Sequence, residues 1–257
     1  MVENKYFNPD DFINNCVNWI REWFYKNGPA CNAVVGISGG KDSTVVAALL
    51  ARALGPERVY GISIPDEGQN SDEAMKICRH LGVNFRTISI SEVNKLLSVS
   101  LRTGLGNYLS QNTVMNIPPR LRMTVLYAIS QTINGRVAGT CNASELYVGY
   151  ATRYGDLASD FEPIADLTCR QVVEVGKALH ELPVEWVTKT PSDDLPFSEP
   201  DDEKFKKWGF AYATLDKYLE TGTSGDNNID NAIEEKHQSQ TFKLGLGEAF
   251  IYHGIIH

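Results

Sequence analysis

A short apolar run that passes through a glycine-rich turn into an apolar helix constrains this chain more than any other feature. Residues 33–37 have the form of a buried parallel strand, and residues 43–54 are rich in Ala, Val and Leu. Glycines in a turn between strand and helix let backbone N–H groups approach phosphate oxygens, and the helix N-terminus adds a partial positive charge. The chain is therefore predicted to bind a phosphate group at this turn, which reads Gly36-Ile37-Ser38-Gly39-Gly40-Lys41-Asp42-Ser43.

The polar residues of the turn fit the same chemistry. Ser38 and Ser43 can donate hydroxyl hydrogen bonds, Lys41 adds a full positive charge, and Asp42 can hold a magnesium ion. The spacing differs from the GxxxxGK[ST] loop of kinases and GTPases. The alternative is that the turn merely joins a strand to a helix. The position of this Ser-Gly-Gly-Lys-Asp-Ser turn directly after an apolar strand favours phosphate binding instead.

The alternation of strand and helix patterns continues along the first half of the chain. Residues 59–64 and 83–88 have strand patterns, residues 72–81 have a helix pattern, and residues 136–139 predict a fourth strand. Such alternation implies βαβ crossovers and a parallel sheet covered on both faces. We therefore expect an α/β, Rossmann-like, doubly wound fold, with long helices over residues 91–108 and 117–133.

The chain is predicted to form one domain over residues 1–257. A first helix is expected over residues 8–27, where apolar residues recur at helical spacing, and a nucleotide-binding core over residues 31–190. Residues 190–204 combine three prolines with acidic residues, which predicts a mobile surface loop. The C-terminal segment, residues 205–257, belongs to a C-terminal third that is expected to be rich in loops.

Composition narrows the classes of partner. The net charge of −8, from 24 Lys and Arg against 32 Asp and Glu, argues against non-specific binding of nucleic acid. No apolar run approaches the roughly 20 residues that cross a bilayer, so we expect no membrane partner. The N-terminus lacks the pattern of a secretory signal. The five cysteines are scattered without CxxC spacing, which indicates reduced thiols and a cytoplasmic protein.

The turn resembles the SGGxDS pyrophosphate loop of the ATP pyrophosphatase superfamily, whose members cleave ATP between the α and β phosphates. Three further segments are similar to the NAD synthetases within that superfamily, in the same order and spacing. The first is residues 116–127 with Arg120, the second is residues 139–145 with Glu145, and the third is residues 149–160 with Arg153 and Asp160. The resemblance extends from about residue 33 to about residue 243 and covers most of the chain.

The resemblance implies an enzyme that amidates nicotinate adenine dinucleotide (deamido-NAD) with ammonia, converting ATP to AMP and pyrophosphate. It also implies a homodimer with the dinucleotide site at the subunit interface. Position by position, Asp42 and Glu145 would hold Mg²⁺, while Thr140, Ser192 and the glycine turn would contact ATP. The residues that would contact the dinucleotide are Arg120, Arg153, Asp160 and Lys243.

The implied reaction needs no covalent enzyme intermediate. The nicotinate carboxylate would attack the α-phosphate of ATP, and ammonia would then attack the acyl-adenylate. Catalysis would rest on positioning and on charges such as those of Lys41 and Asp42. Ammonium has to lose a proton before it attacks, and Asp156 is the expected acceptor. The length leaves no room for a glutamine-hydrolysing domain, so we expect free ammonia or ammonia from a separate chain.

The chain departs from the family pattern at several positions, among them Pro118-Pro119, which replace smaller residues before Arg120, and Arg153, which replaces the usual lysine. Cys169 stands where a lysine that contacts ATP is usual, and Phe242 stands where a histidine usually precedes Lys243. Two alternatives therefore stay open, namely another adenylating enzyme of the superfamily and a nucleotide-binding protein without turnover. The presence of Asp42, Glu145 and the whole glycine turn favours an active enzyme.

Overall fold

The computed structural model describes residues 7–189 and 201–245. Its centre is a parallel sheet of four strands, ordered β3-β2-β1-β4. The strands are β1 (Asn32–Gly36), β2 (Val59–Ser63), β3 (Asn84–Thr87) and β4 (Gly135–Ala138). The expected α/β fold is confirmed, and each predicted strand is present. The strand order reverses between β1 and β4, and ligands of such sheets bind at this switch point, outside the carboxyl ends of the strands.

Helices cover both faces of the sheet because successive strand residues point to opposite sides. On β1, Ala33 and Val35 join the core on one face, and Val34 joins the core on the other. The helices of the described residues are α1 (Pro9–Asn27), α2 (Lys41–Leu54), α3 (Asp72–Leu81), α4 (Ser91–Gly104), α5 (Gln111–Thr132), α6 (Ala143–Tyr147), α7 (Cys169–Ala178), α8 (Val184–Val187), α9 (Asp201–Lys206), α10 (Tyr212–Thr221) and α11 (Asn227–Gln240).

The first helix forms where its sequence predicts it. The side chain of Asn8 accepts hydrogen bonds from the backbone N–H groups of Asp10 and Asp11, which satisfies two donors that a helix start leaves free. Ile20 and Phe24 lie one turn apart on the buried face and have almost no exposed surface. Burial of each such side chain stabilises the fold by roughly 1.5–3 kcal/mol, and this fixes α1 against α2.

Helix α4 is shorter than expected and lies on the outside of the molecule. The helix predicted over residues 91–108 ends at Gly104, because Gly106 and Asn107 have left-handed backbone, with φ of 72° and 67°. No residue of α4 is buried. Its apolar side chains are therefore presented outward, a feature that bears on assembly.

Helix α5 begins earlier than residue 117, where the sequence placed its start. Ser110 Oγ accepts a hydrogen bond from Thr113 N at 3.2 Å and caps the helix, so Pro118 and Pro119 lie inside it. Arg120 and Arg122 were expected near a helix start, and that placement is wrong. Both lie in the middle of α5, which projects Arg120 outward.

The expectation of a loop-rich C-terminal third is also wrong for the described residues. Helices α7 to α11 occupy much of it, and several carry clear caps: Thr168 and Gln171 form a capping box at α7, and Asp226 caps α11. Helices α7 and α8 pack against the main core, while α9, α10 and α11 enclose a core of their own. Its buried residues are Val148, Phe205, Phe210, Tyr212, Leu215 and Ile233.

Two features predicted from the sequence fall partly or wholly outside the described residues. Of the loop predicted over residues 190–204, only the end is described, and it is helical because α9 begins at Asp201. Ser192, predicted to contact ATP, lies outside. Within residues 7–189 and 201–245, no helix has the length and apolar character needed to cross a membrane.

Candidate active site

The turn between β1 and α2 is shaped by hydrogen bonds among its own residues. Gly39 has a φ of 90°, which favours glycine. Gly40 N donates to Ser38 Oγ at 3.1 Å, and Ser43 Oγ donates to the carbonyl oxygen of Gly40 at 3.1 Å. Gly40 is the N-cap of α2, and no side chain caps this end. The first amides of α2 can therefore bind an anion at the switch point of the sheet.

Asn142 links the two carboxylates predicted to hold a metal. Its side-chain Nδ2 donates to Asp42 Oδ1 at 3.2 Å, and its backbone N donates to Glu145 Oε2 at 3.1 Å. Asn142 is completely buried and caps α6. The turn after β4 thus brings Glu145 beside the turn after β1. Two carboxylates held in this way are hard oxygen ligands of the kind that Mg²⁺ prefers, so the residues present fit the ion.

Lys41 turns inward instead of facing solvent. Its side chain is only 4% exposed, and its Nζ lies 2.7 Å from Asp42 Oδ2. Burial by itself would lower the pKa of Lys41, but the charges of Asp42 and Glu145 outweigh burial and raise that pKa above its ordinary value. Lys41 is therefore an ammonium at every physiological pH. The expected positive charge is present in the turn, but it is directed at Asp42.

The positive groups predicted to contact the dinucleotide lie together near the C-terminus of the described chain. Arg120 Nε donates to the carbonyl oxygen of Arg153 at 3.2 Å, and Arg153 Nη2 donates to that of Gly245 at 3.2 Å. Lys243 Nζ donates to the carbonyl oxygen of Gly149 at 3.1 Å. Burial lowers the pKa of Lys243, and nearby Asp156 opposes this. Three cations and one carboxylate thus share a surface.

Asp160 and Thr140 have different surroundings. Asp160 Oδ2 accepts from Val137 N at 2.7 Å, and its Oδ1 accepts from the hydroxyl of Tyr127 at 3.3 Å. Asp160 therefore fixes the backbone of β4 at Val137. Thr140 follows β4 and is half-buried in the turn that leads to Asn142. Its position at the carboxyl edge of the sheet is the one expected for a nucleotide contact.

Two half-buried carboxyl groups, those of Asp156 and Glu162, lie close to the carboxyl edge of the sheet. Asp156 Oδ2 accepts from Thr152 N at 3.0 Å, and burial raises the pKa of Asp156. Glu162 Oε1 accepts from Ser159 Oγ at 2.6 Å, while its buried Oε2 has no hydrogen-bond partner among the described residues. Burial, together with the charge of Asp156, raises the pKa of Glu162 to about 7. A Cβ on Gly139 would overlap with the Glu162 carboxylate, so that glycine makes room for it.

Sequence reasoning missed Asn142, Glu162 and Tyr212. Tyr212 lies 67 residues after Glu145, yet its hydroxyl donates to Glu145 Oε1 at 3.5 Å. No local pattern indicates that contact. Asn142 did carry a signal, because Asn followed three residues later by Glu is the pattern of a capping box.

Cys169 is the first residue of α7 and lies near Lys41, close enough for the charge of that lysine to act on its thiol. Its backbone N donates to Ser144 Oγ at 3.1 Å, two residues from Asn142. Burial raises the pKa of the Cys169 thiol to about 12, and the positive charge of Lys41 opposes this. The thiol therefore stays neutral at physiological pH, although Asp42 and Glu145 are close to it.

We expect Cys169→Lys to lower the KM for ATP about threefold to tenfold, because a second cation close to Lys41 would form an ion pair with the phosphates. Steady-state kinetics with ATP as the varied substrate measure the effect. Cys169→Met, which is of similar length but uncharged, is the matched control. An unchanged KM in the lysine variant would mean that this position does not face the nucleotide.

The parallel sheet, the unblocked helix N-terminus after β1 and the paired carboxylates at the switch point together define a nucleotide-binding α/β protein of the adenine nucleotide alpha hydrolase-like class. The chain belongs to the NAD synthase family, whose model matches residues 12–249.

Individual relatives agree with this assignment. The chain is 35% identical to an "NH(3)-dependent NAD(+) synthetase" of Carboxydothermus hydrogenoformans, over 91% of this chain and 94% of the relative. Among solved structures, an NMN synthetase from Francisella tularensis superposes with a TM-score of 0.85 at 30% identity, covering 96% of this chain and all of the other. An NH3-dependent NAD synthetase from Campylobacter jejuni gives a TM-score of 0.74 at 28% identity with the same coverage.

Proposed function

We propose that this protein is a cytoplasmic, ATP- and Mg²⁺-dependent ligase that converts deamido-NAD and ammonia to NAD, AMP and pyrophosphate. The observation that carries the proposal is the junction of Asp42, Asn142 and Glu145 beside the glycine turn. The junction supports binding of a nucleotide phosphate chain together with a divalent cation. Membership in the NAD synthase family supports the amide-forming reaction.

The protein's own groups would act mainly by positioning. The turn amides around Gly39 and Gly40 would hold the β and γ phosphates, so that pyrophosphate departs from the N-terminus of α2. Arg120, Arg153 and Lys243 would hold the phosphates of deamido-NAD and bring its nicotinate carboxylate in line with the α-phosphate. Asp42 and Glu145 would hold Mg²⁺, which would supply positive charge beside the phosphates of ATP.

Asp156 is our candidate for the group that takes the proton from ammonium. Burial raises its pKa, which makes its carboxylate a stronger base than an exposed aspartate. It also lies close enough to Lys243 to influence the pKa of that lysine. Asp156 is thus next to a residue proposed to hold the dinucleotide, and the nitrogen would be deprotonated close to the acyl carbon that it attacks.

A second candidate substrate is nicotinate mononucleotide. The similar Francisella tularensis structure is described as an NMN synthetase, and its amide product would require the same chemistry on a smaller substrate. The two substrates differ only in the AMP half of the dinucleotide, so the proposed cation cluster would hold two phosphates in one case and one phosphate in the other.

One assay tests both candidates. Purified protein is incubated with ATP, Mg²⁺, ammonium and either dinucleotide or mononucleotide, and products are separated by chromatography. The proposal expects NAD, AMP and pyrophosphate in equal amounts, with deamido-NAD giving the higher kcat/KM. A preference for the mononucleotide would correct the substrate. Release of ADP would contradict the proposal as a whole, because cleavage would then occur between the β and γ phosphates.

A homodimer is part of the same proposal. Helix α4 exposes Val93, Leu96 and Val99 at helical spacing, with 54%, 69% and 55% of their surface accessible. Further exposed apolar residues continue the surface past the end of α4 and into α5, namely Leu105, Tyr108, Val114 and Met115. Exposed apolar residues along adjoining segments of the chain are typical of an interface between subunits.

Leu96→Glu is expected to weaken the dimer by about 30-fold or more, because an unpaired charge would be buried at the interface. Light scattering coupled to size exclusion over a range of concentrations measures the dissociation. Lys95→Gln lowers the net charge by the same amount on the same exposed helix and serves as the control. If Leu96→Glu dimerises as tightly as the wild type, the interface between subunits lies elsewhere.

A further inference from the structure

The Lys41–Asp42 contact is an unusual use of a lysine in a phosphate-binding turn. Lys41 is the first residue of α2, where an exposed cation would be free to meet phosphate. Instead its side chain is buried at 4% exposure, and its Nζ contacts Asp42 Oδ2 at 2.7 Å. Asp42 itself keeps 19% of its side chain accessible. The lysine therefore covers one of the two oxygens that a metal would use.

The remaining carboxylate oxygens of the proposed metal pair are also engaged. Asn142 donates to Asp42 Oδ1 and to Glu145 Oε2, and the Tyr212 hydroxyl donates to Glu145 Oε1. Among these donors only Lys41 carries a charge. Asn142 and Tyr212 can stay in place beside a cation, since neutral donors do not repel it strongly. Lys41 cannot, because an ammonium and a divalent ion would compete for the same oxygen.

Lys41 also reduces the net negative charge of the proposed metal site. Asp42 and Glu145 together carry a charge of about −2, and the ammonium of Lys41 leaves about −1 to attract a metal from solution. ATP changes the balance, because its phosphates offer the ammonium another anionic partner at the same turn.

We propose that Lys41 is a built-in counter-ion of the magnesium site, which occupies Asp42 until metal and ATP arrive together and which then turns to the phosphates. This inference rests on the magnesium site of the proposed function. It makes metal binding conditional on nucleotide. The free protein binds divalent cations weakly, and the charge released from Asp42 strengthens the hold on ATP.

Binding of Mn²⁺ to the nucleotide-free protein tests the proposal without turnover. Free Mn²⁺ is counted by electron paramagnetic resonance during titration of wild type, Lys41→Gln and Lys41→Arg. We expect Lys41→Gln to bind Mn²⁺ about tenfold more tightly or better, since one opposing charge is gone. Lys41→Arg keeps the charge and should resemble the wild type, as should Lys26→Gln, which removes an exposed charge on α1.

The opposite effect is expected for the nucleotide. With metal removed by a chelator, Lys41→Gln should bind ATP several-fold more weakly than the wild type in a calorimetric titration. A lysine with a purely structural role would shift both affinities downward. Adding Asp42→Asn to Lys41→Gln should abolish the gain in Mn²⁺ affinity, and a gain that persists would overturn the proposal.

The outcomes separate this inference from the proposed function. If the wild type makes NAD but Lys41→Gln gains no affinity for Mn²⁺, the counter-ion role is wrong and the function stands. If the wild type makes no NAD while the affinities shift as expected, the function is wrong and Lys41 still controls access of metal. Circular dichroism of each variant confirms that the affinities are those of folded protein.

Discussion

Replacing Gly39 by alanine is expected to lower kcat/KM for ATP by about 100-fold, the scale of losing one preorganised backbone donor. Gly39 has a φ of 90°, a conformation that costs a residue with a Cβ about 1–2 kcal/mol. Its added Cβ would also meet the side chain of Glu73, 2.9 Å from Oε2 and 3.2 Å from Cβ. The turn would relax toward negative φ, and its amides would no longer converge on the phosphates.

Gly222 provides a matched control for backbone strain. It has a φ of 82° at the end of α10, and a Cβ there meets no atom within 4 Å. Gly222→Ala should therefore lose about the same stability as Gly39→Ala, measured by thermal unfolding, and keep full activity. Equal activity losses in the two variants would contradict a specific role of the Gly39 turn. If Gly39→Ala keeps full activity, the glycine turn does not bind the phosphates of ATP during the reaction.

The part of the fold that sequence predicted correctly is the part determined by local pattern. Strand β1 and helix α2 adjoin in the chain, and an unbroken apolar run can only be satisfied by a strand covered on both faces. The glycine turn between them is equally local. The same reasoning located β2, α3, β3 and β4 to within a residue or two of their bounds.

The C-terminal helices escaped prediction because contacts that are distant in the chain stabilise them. Phe205 is completely buried between Tyr150 and Tyr212, with ring centroids at 5.2 Å and 4.3 Å. Helices α9 and α10 are short, and their apolar positions are too few to establish a helical period. The capping box of Thr168 and Gln171 was a readable signal of α7, but a cap does not indicate what the helix packs against.

In the candidate site too, the residues in local motifs were predicted and the contacts between distant segments were not. Asp42, Glu145 and Arg153 were found through segments that resemble a family, and the structure places Asp42 and Glu145 on either side of Asn142. The inward turn of Lys41 could not have been predicted. Besides the neighbouring Asp42, the charge of Glu145 acts on Lys41, and α6 brings that carboxylate to the first turn of α2 from more than 100 residues away in the chain.

Glu162→Gln is expected to stabilise the protein in a pH-dependent way, by up to about 3 kcal/mol more at pH 8 than at pH 5. Burial raises the pKa of Glu162 from 4.5 to about 7, with a further contribution from Asp156 and an opposing one from Ser159. In the unfolded chain this carboxyl group ionises near 4.5. Between these two values the unfolded chain binds fewer protons than the folded protein, so the free energy of unfolding falls as the pH rises.

Glutamine cannot ionise and escapes this loss, while it can still accept the hydrogen bond from Ser159 Oγ. The change between pH 5 and pH 8 is the quantity to compare, since any constant packing cost of the amide cancels in it. Asp156, Cys141 and Tyr127 also face this group electrostatically, and they are the same in both proteins.

Urea unfolding of wild type and Glu162→Gln at several pH values measures the difference, with Glu235→Gln on the exposed face of α11 as the control. The control should show no comparable trend. Above about pH 7 the stabilising effect should level off, because Glu162 is then ionised in both states of the wild type. A difference that stays constant from pH 5 to pH 8 would mean that the Glu162 carboxylate is solvated in the folded protein. Water would then reach the Glu162 carboxylate beside Gly139 and hydrogen-bond to its Oε2 atom.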